Sequence, residues 1–384
     1  MRKPAKPRNS HLAANVAVSV TLLLLASEFA AAATEVTACG QTFSGSGFLA
    51  ADLDCTGFVG NAVTIDGGTL DLRGFTLTGG TQNGVACARN CTVLSDPPGG
   101  RIDGAGGGVS VFGDDLVPLA PFVNVRISDV ELDGHLAGAS ATGRLTLYDS
   151  TVSNPSDPFA ELSGSSVKLV RTNVASLPGR VVGDRVRIID SLLAACGTTE
   201  CLNGRVTVRN STVSGSGDAG IRGTQVSVID SSVTGNAGSG VAFFGGPERL
   251  RVVRSGITAN GGRGISGESA GRVVIKDSDV SGNALEGIFE LDVISIEGST
   301  ITNNGRSGVS TGSTAVFSLC DVRISDSTFS GNGTDLAVCG VSETCADIAT
   351  CGQAPDLQGT TTCETSYDTD SGFPGTSWGV CSLD

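Results

Sequence analysis

The sequence contains few of the residues that usually build a globular core, and few that carry acid–base catalysis. Its 384 residues include one Trp, one Met, two Tyr and two His, and aromatic residues make up 4% of the chain. The 55 glycines add no side chains that could be buried. A chain of this composition needs a repeated architecture in which small, similar units share one core.

The chain has only one long apolar run, from Leu12 to Ala26. This run follows the basic segment MRKPAKPR and precedes an alanine cluster that ends at Ala33, which is the order of a secretory signal peptide. Glu28 ends the run before the roughly 20 apolar residues that a spanning helix requires. We therefore expect cleavage after Ala33 and a secreted, periplasmic or cell-surface chain without a membrane span. The sequence VTAC before position 40 offers an alternative, lipidation of Cys39.

The acidic balance excludes one class of partner. Without residues 1–33 the chain holds 21 basic and 38 acidic residues, a net charge of −17. Such a chain repels the phosphate backbone of nucleic acids, so nucleic-acid binding is not expected to be its main function.

The even number of cysteines in an exported chain indicates disulfide bonds. Short spacings suggest some local pairs, although spacing does not determine connectivity. Metal coordination would require nearby histidines, and the expected mature chain has one, so no metal or other cofactor is predicted. The disulfide candidates are Cys39, Cys55, Cys87, Cys91, Cys196, Cys201, Cys320, Cys339, Cys345, Cys351, Cys363 and Cys381.

A repeat of about 22 residues organises most of the chain. Its units begin with an apolar–outward–apolar triplet, and a further apolar residue follows seven positions after the first. Alternation of β-branched residues between turn residues predicts short strands with one buried face. The unit is too short for a propeller blade and lacks the leucine-rich spacing. The first residues of the triplets are Leu70, Cys91, Val125, Leu145, Val167, Val186, Val206, Val226, Leu250, Val273, Ile294 and Val322.

The repeat therefore predicts an all-β fold, a parallel β-helix (solenoid) of about 12 coils. Open ends of a solenoid are strand edges that need covering. We expect a signal peptide at 1–33, the β-helix with an N-terminal cap at 34–335, and a Cys-rich C-terminal cap at 336–384, with disulfides stapling the ends.

An asparagine recurs ten residues after the start of successive repeats, which predicts a ladder along one bend. Asparagine tolerates the left-handed conformation, and its amide both donates and accepts hydrogen bonds along a stack. A glycine follows four residues later and is expected to permit a second tight bend. The ladder residues are Asn236, Asn260, Asn283, Asn304 and Asn332.

The motif S-x-[VI]-[ST]-x-N-x-x-x-G-[IV], nearly intact over residues 206–309, resembles the right-handed parallel β-helix repeats of the pectate-lyase-like superfamily. The resemblance implies a right-handed coil and activity on polysaccharides, often acidic ones. Lyases of this kind use a base, commonly Lys, Arg, His or Tyr, and polygalacturonases use paired aspartates. The triplet at 113–115, GDD, resembles a polygalacturonase motif, but the companion motifs are absent.

A candidate site lies where the ladder is interrupted, between Val125 and Cys196. The outward position of four successive coils reads Arg126, Thr146, Lys168 and Arg187, which predicts a basic stripe suited to carboxylates of an acidic glycan. The alternative is pairing of these cations with aspartates that lie four residues after each triplet begins. His135, at the ladder position, and Tyr148 are the candidate base and acid of an enzyme.

Those aspartates recur along the chain and are interrupted by neutral or basic residues. We expect them to cap backbone amides at a bend, with calcium binding as the alternative. Taken together, the sequence favours a secreted or cell-surface β-helix that binds polysaccharide without an identifiable catalytic set. The alternatives are an acidic-polysaccharide lyase or epimerase, and a purely architectural surface protein.

Overall fold

The structure is a computed structural model that describes residues 32–104, 106–111, 122–135, 137–155, 160–197, 199–243, 249–267, 272–289, 293–311, 321–338, 354–368, 377 and 379–384. Within these ranges the secondary structure is entirely β-strand, with turns between the strands. No helix with the length and apolar character needed to cross a bilayer occurs in them. The predicted signal peptide, except its last two residues, and the GDD triplet lie outside the described ranges.

The described strands are β1 (Thr34–Val36), β2 (Gln41–Leu49), β3 (Leu53–Cys55), β4 (Val63–Asp71), β5 (Thr76–Gly79), β6 (Asn83–Cys87), β7 (Cys91–Leu94), β8 (Gly100–Asp103), β9 (Gly107–Val111), β10 (Val125–Ser128), β11 (Val130–Asp133), β12 (Ala137–Ser140), β13 (Arg144–Tyr148), β14 (Thr151–Ser153), β15 (Leu162–Ser163), β16 (Ser166–Val170), β17 (Asn173–Val174), β18 (Val181–Ile189), β19 (Leu192–Ala194), β20 (Leu202–Arg209), β21 (Thr212–Ser214), β22 (Ile221–Ile229), β23 (Ser232–Thr234), β24 (Val241–Phe243), β25 (Arg249–Val253), β26 (Gly256–Thr258), β27 (Ile265–Gly267), β28 (Arg272–Lys276), β29 (Asp279–Ser281), β30 (Ile288–Phe289), β31 (Val293–Glu297), β32 (Thr300–Thr302), β33 (Ser307–Ser310), β34 (Asp321–Ser325), β35 (Thr328–Ser330), β36 (Thr334–Val338), β37 (Asp356–Gln358) and β38 (Ser366–Asp368).

Each strand pairs in parallel with its equivalent one coil away, so the predicted parallel β-helix is confirmed. We call the surface formed by the triplet strands face 1; it includes β10, β13, β16, β25 and β28. Face 2 is a separate sheet of thirteen strands, from β3 to β35. Face 3 holds the strands after the asparagine bend, such as β24, β27 and β30. Long strands such as β22 pass from face 3 into face 1, and these two faces therefore form one sheet.

The core consists of columns of apolar side chains, one from each coil. The first residues of the triplets from Val125 to Val322 are at most 4% exposed, and the residues seven positions later, such as Val213 and Ile257, are at most 1% exposed. Burying a side chain of this size contributes about 1.5–3 kcal/mol. Long columns of Val, Ile and Leu therefore replace the missing aromatic core. The predicted alignment was wrong at one end, because Leu70 pairs with Val93 rather than with Cys91.

The bend between face 1 and face 2 holds the recurrent aspartates in a left-handed conformation. Asp149, Asp190 and Asp230 have φ of 47–50°, and Arg171 and Arg254 adopt the same conformation at the interruptions. Left-handed geometry is tolerated best by Asp, Asn and Gly, which accounts for this column.

A column of hydroxyl residues follows directly and was missed by the sequence analysis. Each hydroxyl, such as that of Ser231, donates to the carbonyl two residues earlier and accepts the backbone N–H of the equivalent residue in the preceding coil, Ser211. The same pattern repeats at Ser191, Ser255, Ser278, Ser299 and Ser327.

The bend between face 2 and face 3 contains the asparagines. Asn236, Asn260, Asn283 and Asn304 are at most 2% exposed, and each Nδ2 donates to the Oδ1 of the next asparagine at 2.9 Å, ending at Asn332. The same Oδ1 atoms accept backbone N–H groups at 3.0–3.2 Å. Asn332 then donates to Asp335 at 2.8 Å, so a carboxylate terminates the chain of amides.

Two expected features of this bend were wrong. The left-handed residue is the one before each asparagine, for example Gly235 or Gly282, and the asparagines themselves are not left-handed. The following glycines, such as Gly240 and Gly264, also lack a positive φ. A Cβ at Gly240 would lie 2.7 Å from the Nδ2 of Asn260, so glycine is needed there for space beside the ladder.

Both ends contain disulfides. Cys39–Cys55 closes the first coil, Cys363–Cys381 holds the C-terminal segment, and Cys87–Cys91 and Cys196–Cys201 lie between them. The other four disulfide candidates, Cys320, Cys339, Cys345 and Cys351, lie outside the described residues. In the predicted C-terminal cap, β37 and β38 extend the sheet by pairing with β34 and β36.

Candidate functional site: a basic face

The outer surface of face 1 carries two columns of outward side chains in strict register. Column 1 passes through the middle residues of the triplets: Arg126, Thr146, Lys168, Arg187, Thr207, Ser227 and Arg251. Column 2 passes through the residues immediately before the triplets: Arg144, Ser166, Arg185, Arg205, Gln225, Arg249 and Arg272. We call the nine cations of these columns the basic face.

The lattice of the sheet sets the spacing of these charges. Neighbouring coils are about 4.8 Å apart, and the two columns are two residues apart along the strand, or about 6.6 Å. The apolar residues on either side of each column 1 cation, such as Val186 and Ile188 around Arg187, are buried and fix the backbone beneath it, and a buried apolar residue follows each column 2 arginine. The basic face is therefore a regular array of cations on a rigid support.

The cations of the basic face have no acidic partner among the described residues. None of the nine lies within 4.0 Å of a carboxylate in that part of the chain, and eight of them are exposed while Lys168 is half-buried. The expected alternative, pairing with Asp129, Asp149 and Asp190, is not what the structure shows. Asp149 pairs with Arg171, while Asp129 accepts from Ser128 and Asp190 accepts from Asn210.

Like charges stand directly opposite each other on adjacent strands. Arg185 is in register with Arg205, and Arg249 with Arg272. Such pairs destabilise a sheet, and no carboxylate of the described residues lies within 4.0 Å of these four arginines. The arrangement favours a ligand that brings its own negative charge.

At the N-terminal end of the basic face, three of the predicted site residues form a cluster. The Nζ of Lys168 donates to the hydroxyl of Tyr148 at 3.2 Å, and lies 5.2 Å from the centroid of its ring. The guanidinium carbon of Arg126 lies 4.7 Å from the same centroid. Cation–π contacts with both neighbours hold the tyrosine ring between them and leave its hydroxyl beside a cation. Thr146, which is flanked by the two cations in column 1, is buried.

His135 does not join this cluster. It follows β11 at the bend between face 2 and face 3, where its side chain is 1% exposed. The ring lies next to Gly108, where a Cβ would approach it to 3.1 Å. Arg187 is one coil beyond Lys168 in column 1 and lies beside the arginines of column 2.

A column of aspartates lies at the bend that borders the basic face. The hydrogen bonds and charge of Arg171 lower the pKa of Asp149, and those of Arg254 lower the pKa of Asp230. These carboxylates are therefore ionised and neutralised by their own arginines. No group of three or more potential metal ligands occurs within the described ranges, and calcium binding by the aspartates stays a prediction.

Column 2 was missed by the sequence analysis, although its signal was present. Five of its seven members are arginines that directly precede a triplet. The alternation along a strand places the residue before a buried anchor on the same outer face as the residue after it. The predicted stripe of three cations is therefore one part of a face with nine.

In comparison with known proteins, residues 196–352 match the family model described as "Right handed beta helix region". The predicted resemblance to right-handed parallel β-helix repeats is thus confirmed for the part that carries the ladder. No curated protein sequence matches the chain significantly.

Solved structures with some likeness include the A-module of the mannuronan C-5 epimerase AlgE4 from Azotobacter vinelandii, at 14% identity, 86% coverage of this chain, 91% of the other, and a TM-score of 0.38. A second is the periplasmic alginate epimerase AlgG, at 13% identity, 84% and 85% coverage, and a TM-score of 0.42. A third is the Dettilon tailspike protein gp208, at 14% identity, 78% and 62% coverage, and a TM-score of 0.26. At these values the likeness concerns the coil and carries no weight for function.

Proposed function

We propose that this right-handed β-helix protein binds an acidic polysaccharide along the basic face, outside the cytosol. The observation that supports the proposal best is the register of nine cations without carboxylate partners among the described residues, on a chain whose formal net charge is −14. Disulfide bonds at both ends agree with an oxidising compartment.

The geometry suits an extended ligand better than a small one. The cations extend over eight successive coils, from Arg126 to Arg272, which is about 34 Å at the usual strand spacing. The guanidinium group presents a planar fork of donors that matches a carboxylate or sulfate. The sheet beneath needs no ordering on binding, so the entropic cost of association comes from the ligand and the exposed side chains and not from the backbone.

The charge of the whole protein selects against other polyanions. A nucleic acid would bring a dense phosphate backbone close to those aspartates of the neighbouring bend that have no arginine partner, Asp129 and Asp190. A polysaccharide with one anionic group per ring carries fewer charges per length than a nucleic-acid duplex. It also offers hydroxyls to the neutral residues between the arginines.

A binding panel tests the proposal. The purified protein is titrated with a polymannuronate, a polygalacturonate, a sulfated glycan and a neutral glucan, and each association is measured by calorimetry. We expect at least one acidic polymer to bind and the neutral glucan not to bind. Lack of binding to every acidic polymer by folded protein, or equal binding of the neutral one, would overturn the proposal.

A second candidate function is a lyase or epimerase acting on the same polymer. The observation that favours it is the Tyr148 hydroxyl, which lies 3.2 Å from the Lys168 ammonium and beside Arg126. A tyrosine held between cations is a candidate for proton transfer, while the cations would face the substrate carboxylate. The buried position of His135 assigns it no direct part in this chemistry.

The two functions are separated by one assay. Formation of an unsaturated product is followed by absorbance, and uronic acid composition is measured after long incubation. Turnover that is lost in Tyr148→Phe, with binding retained, would establish the enzyme. A polymer that binds and is recovered chemically unchanged would establish that the protein binds polysaccharide without turnover.

A further inference from the structure

The arginines of the basic face are not distributed evenly, and their distribution has a consequence for the ligand. Cluster 1 consists of Arg185, Arg187 and Arg205, and cluster 2 of Arg249, Arg251 and Arg272. The coil between them contributes only neutral residues to the two columns, Gln225 and Ser227.

The neutral coil forms the floor of an open depression of about 470 Å³ between the clusters. Its floor includes Gln225, Ser227 and the neighbouring Thr207, and both clusters contribute to its walls. Amide and hydroxyl groups on the floor offer hydrogen bonds to sugar hydroxyls. The cations that can bind anionic groups lie only at the two sides of the depression.

The distance between the clusters is fixed by the coil lattice. Arg205 and Arg249 are two coils apart in column 2, which is about 9.6 Å. Buried Val206, Val226 and Leu250 connect the three coils beneath the depression. The backbone positions of the two clusters are therefore fixed relative to each other.

Resting on the proposed function, we infer that the part of the basic face from Arg185 to Arg272 is a two-point site that holds the polysaccharide along the coil axis. Anionic groups of the ligand lie over cluster 1 and cluster 2, and an uncharged edge of the polymer lies over Gln225 and Ser227. The ligand is an acidic oligosaccharide long enough to reach both clusters. Joining two contacts through one chain raises the effective concentration of the second contact, so affinity increases steeply once the oligomer bridges them.

A length series tests this inference. Acidic oligosaccharides of two to ten rings, cut from the polymer that binds best, are titrated against the wild type. They are also titrated against the cluster 2 variant R249S/R251S/R272S. We expect the wild type to show a step of about a hundredfold in affinity at the bridging length. The cluster 2 variant should lose the step and keep the wild-type affinity for shorter oligomers. Arg89→Ser, which changes an exposed arginine outside the two columns, serves as the control.

The outcomes separate the inference from the function. A smooth increase with length in both proteins, or equal losses for short and long oligomers in the cluster 2 variant, would contradict two-point binding and leave acidic-polysaccharide binding intact. Absence of binding at every length and for the parent polymer would contradict the proposed function itself. Circular dichroism and thermal unfolding confirm that the compared variants are folded.

Discussion

The outer surfaces of face 1 and face 2 are built on the same coils and differ almost completely in chemistry. Over the coils that carry the basic face, face 1 presents nine cations in two columns. Face 2 presents mainly hydroxyls, with a few acids, including Glu131 and Asp133, and the exposed Leu192. One of its columns reads Ser214, Thr234, Thr258, Ser281, Thr302 and Ser330 without interruption.

This difference shows which residues the fold constrains. Inward residues on both faces are Val, Ile and Leu in buried columns, because each coil must pack on the next. Outward residues meet only solvent and their neighbours, so the repeat permits either hydroxyls or cations there. A column of hydroxyl side chains is compatible with the stacking of coils at no electrostatic cost, whereas the arginines of a column repel one another. Face 1 therefore departs from the uncharged arrangement seen on face 2, and we propose that ligand binding is the reason.

The largest effect is expected from reversing charge on face 1. The variant R185E/R187E/R205E should weaken binding of an acidic polymer roughly a thousandfold, because about 1.5 kcal/mol is lost for each charged hydrogen bond and repulsion is added. Calorimetric titration measures the change. The comparison variant T212E/S232E/T234E introduces the same number of carboxylates on face 2, with half the change in net charge, and should weaken binding less than about tenfold through net charge alone. Equal losses in both variants would mean that the position of the charges does not matter.

The next largest effect is expected from disrupting the asparagine ladder, which stabilises the coils that both faces share. Asn283→Ala removes the acceptor of the Asn260 backbone N–H and of its side-chain amide, both of which are buried. Leaving such groups unsatisfied costs about 2–3 kcal/mol of the free energy of unfolding. Urea denaturation followed by circular dichroism measures it. Ser281→Ala, on the outer surface of face 2 in the same coil, should change stability by less than about 0.5 kcal/mol. A similar loss from both substitutions would refute a special role for the ladder.

A smaller effect is expected from Tyr148→Phe, which tests the N-terminal end of the basic face. The ring and both cation–π contacts stay, and only the hydrogen bond from Lys168 is lost. Binding affinity should change less than about threefold, since Lys168 remains charged and available to the ligand. A loss above about tenfold would place the tyrosine hydroxyl in direct contact with the polymer.

The smallest effect concerns pH and lies on face 3, away from both compared surfaces. Burial acts to raise the pKa of Glu286, but hydrogen bonds and charge from Arg263 and a backbone N–H lower it overall. A carboxylate with a lowered pKa stabilises the folded state above its ordinary pKa and loses that contribution as pH falls through the folded value. Glu286→Gln should therefore flatten the loss of stability below about pH 4.5, as measured by urea denaturation at several pH values. If the loss of stability at acid pH were the same in Glu286→Gln as in the wild type, the lowered pKa of Glu286 would be contradicted.

The sequence allowed the coil architecture to be predicted more fully than the candidate site. The triplets, the residue seven positions later and the asparagines recur at fixed spacing, and such periodicity translates directly into buried columns. The conformations at the bends were harder to predict. Asparagine is tolerated in the left-handed region, yet here Gly235 takes that conformation and Asn236 supplies the hydrogen bonds.

The site was predicted only in part because its residues belong to a surface and have no period of their own. Arg126, Lys168 and Arg187 follow from the outward position of the triplet, and Arg185 and Arg205 follow from the same alternation when it is extended by one residue. The contact of Tyr148 with Lys168 depends on side-chain length across a coil and has no signature in spacing. His135 occupies a ladder position, and its burial follows from that position.

The dependence of affinity on salt tests the central claim most directly. The association constant of an acidic polymer is measured between 50 and about 300 mM salt for the wild type, for R185S/R187S/R205S and for the Arg89→Ser control. We expect a steep linear decrease of log K with log salt for the wild type and the control, and a slope shallower by about two to three for the triple variant, because each cation that pairs with the polymer releases about one counterion. Identical slopes for all three proteins would show that the polymer binds elsewhere and would contradict the basic face as the binding site.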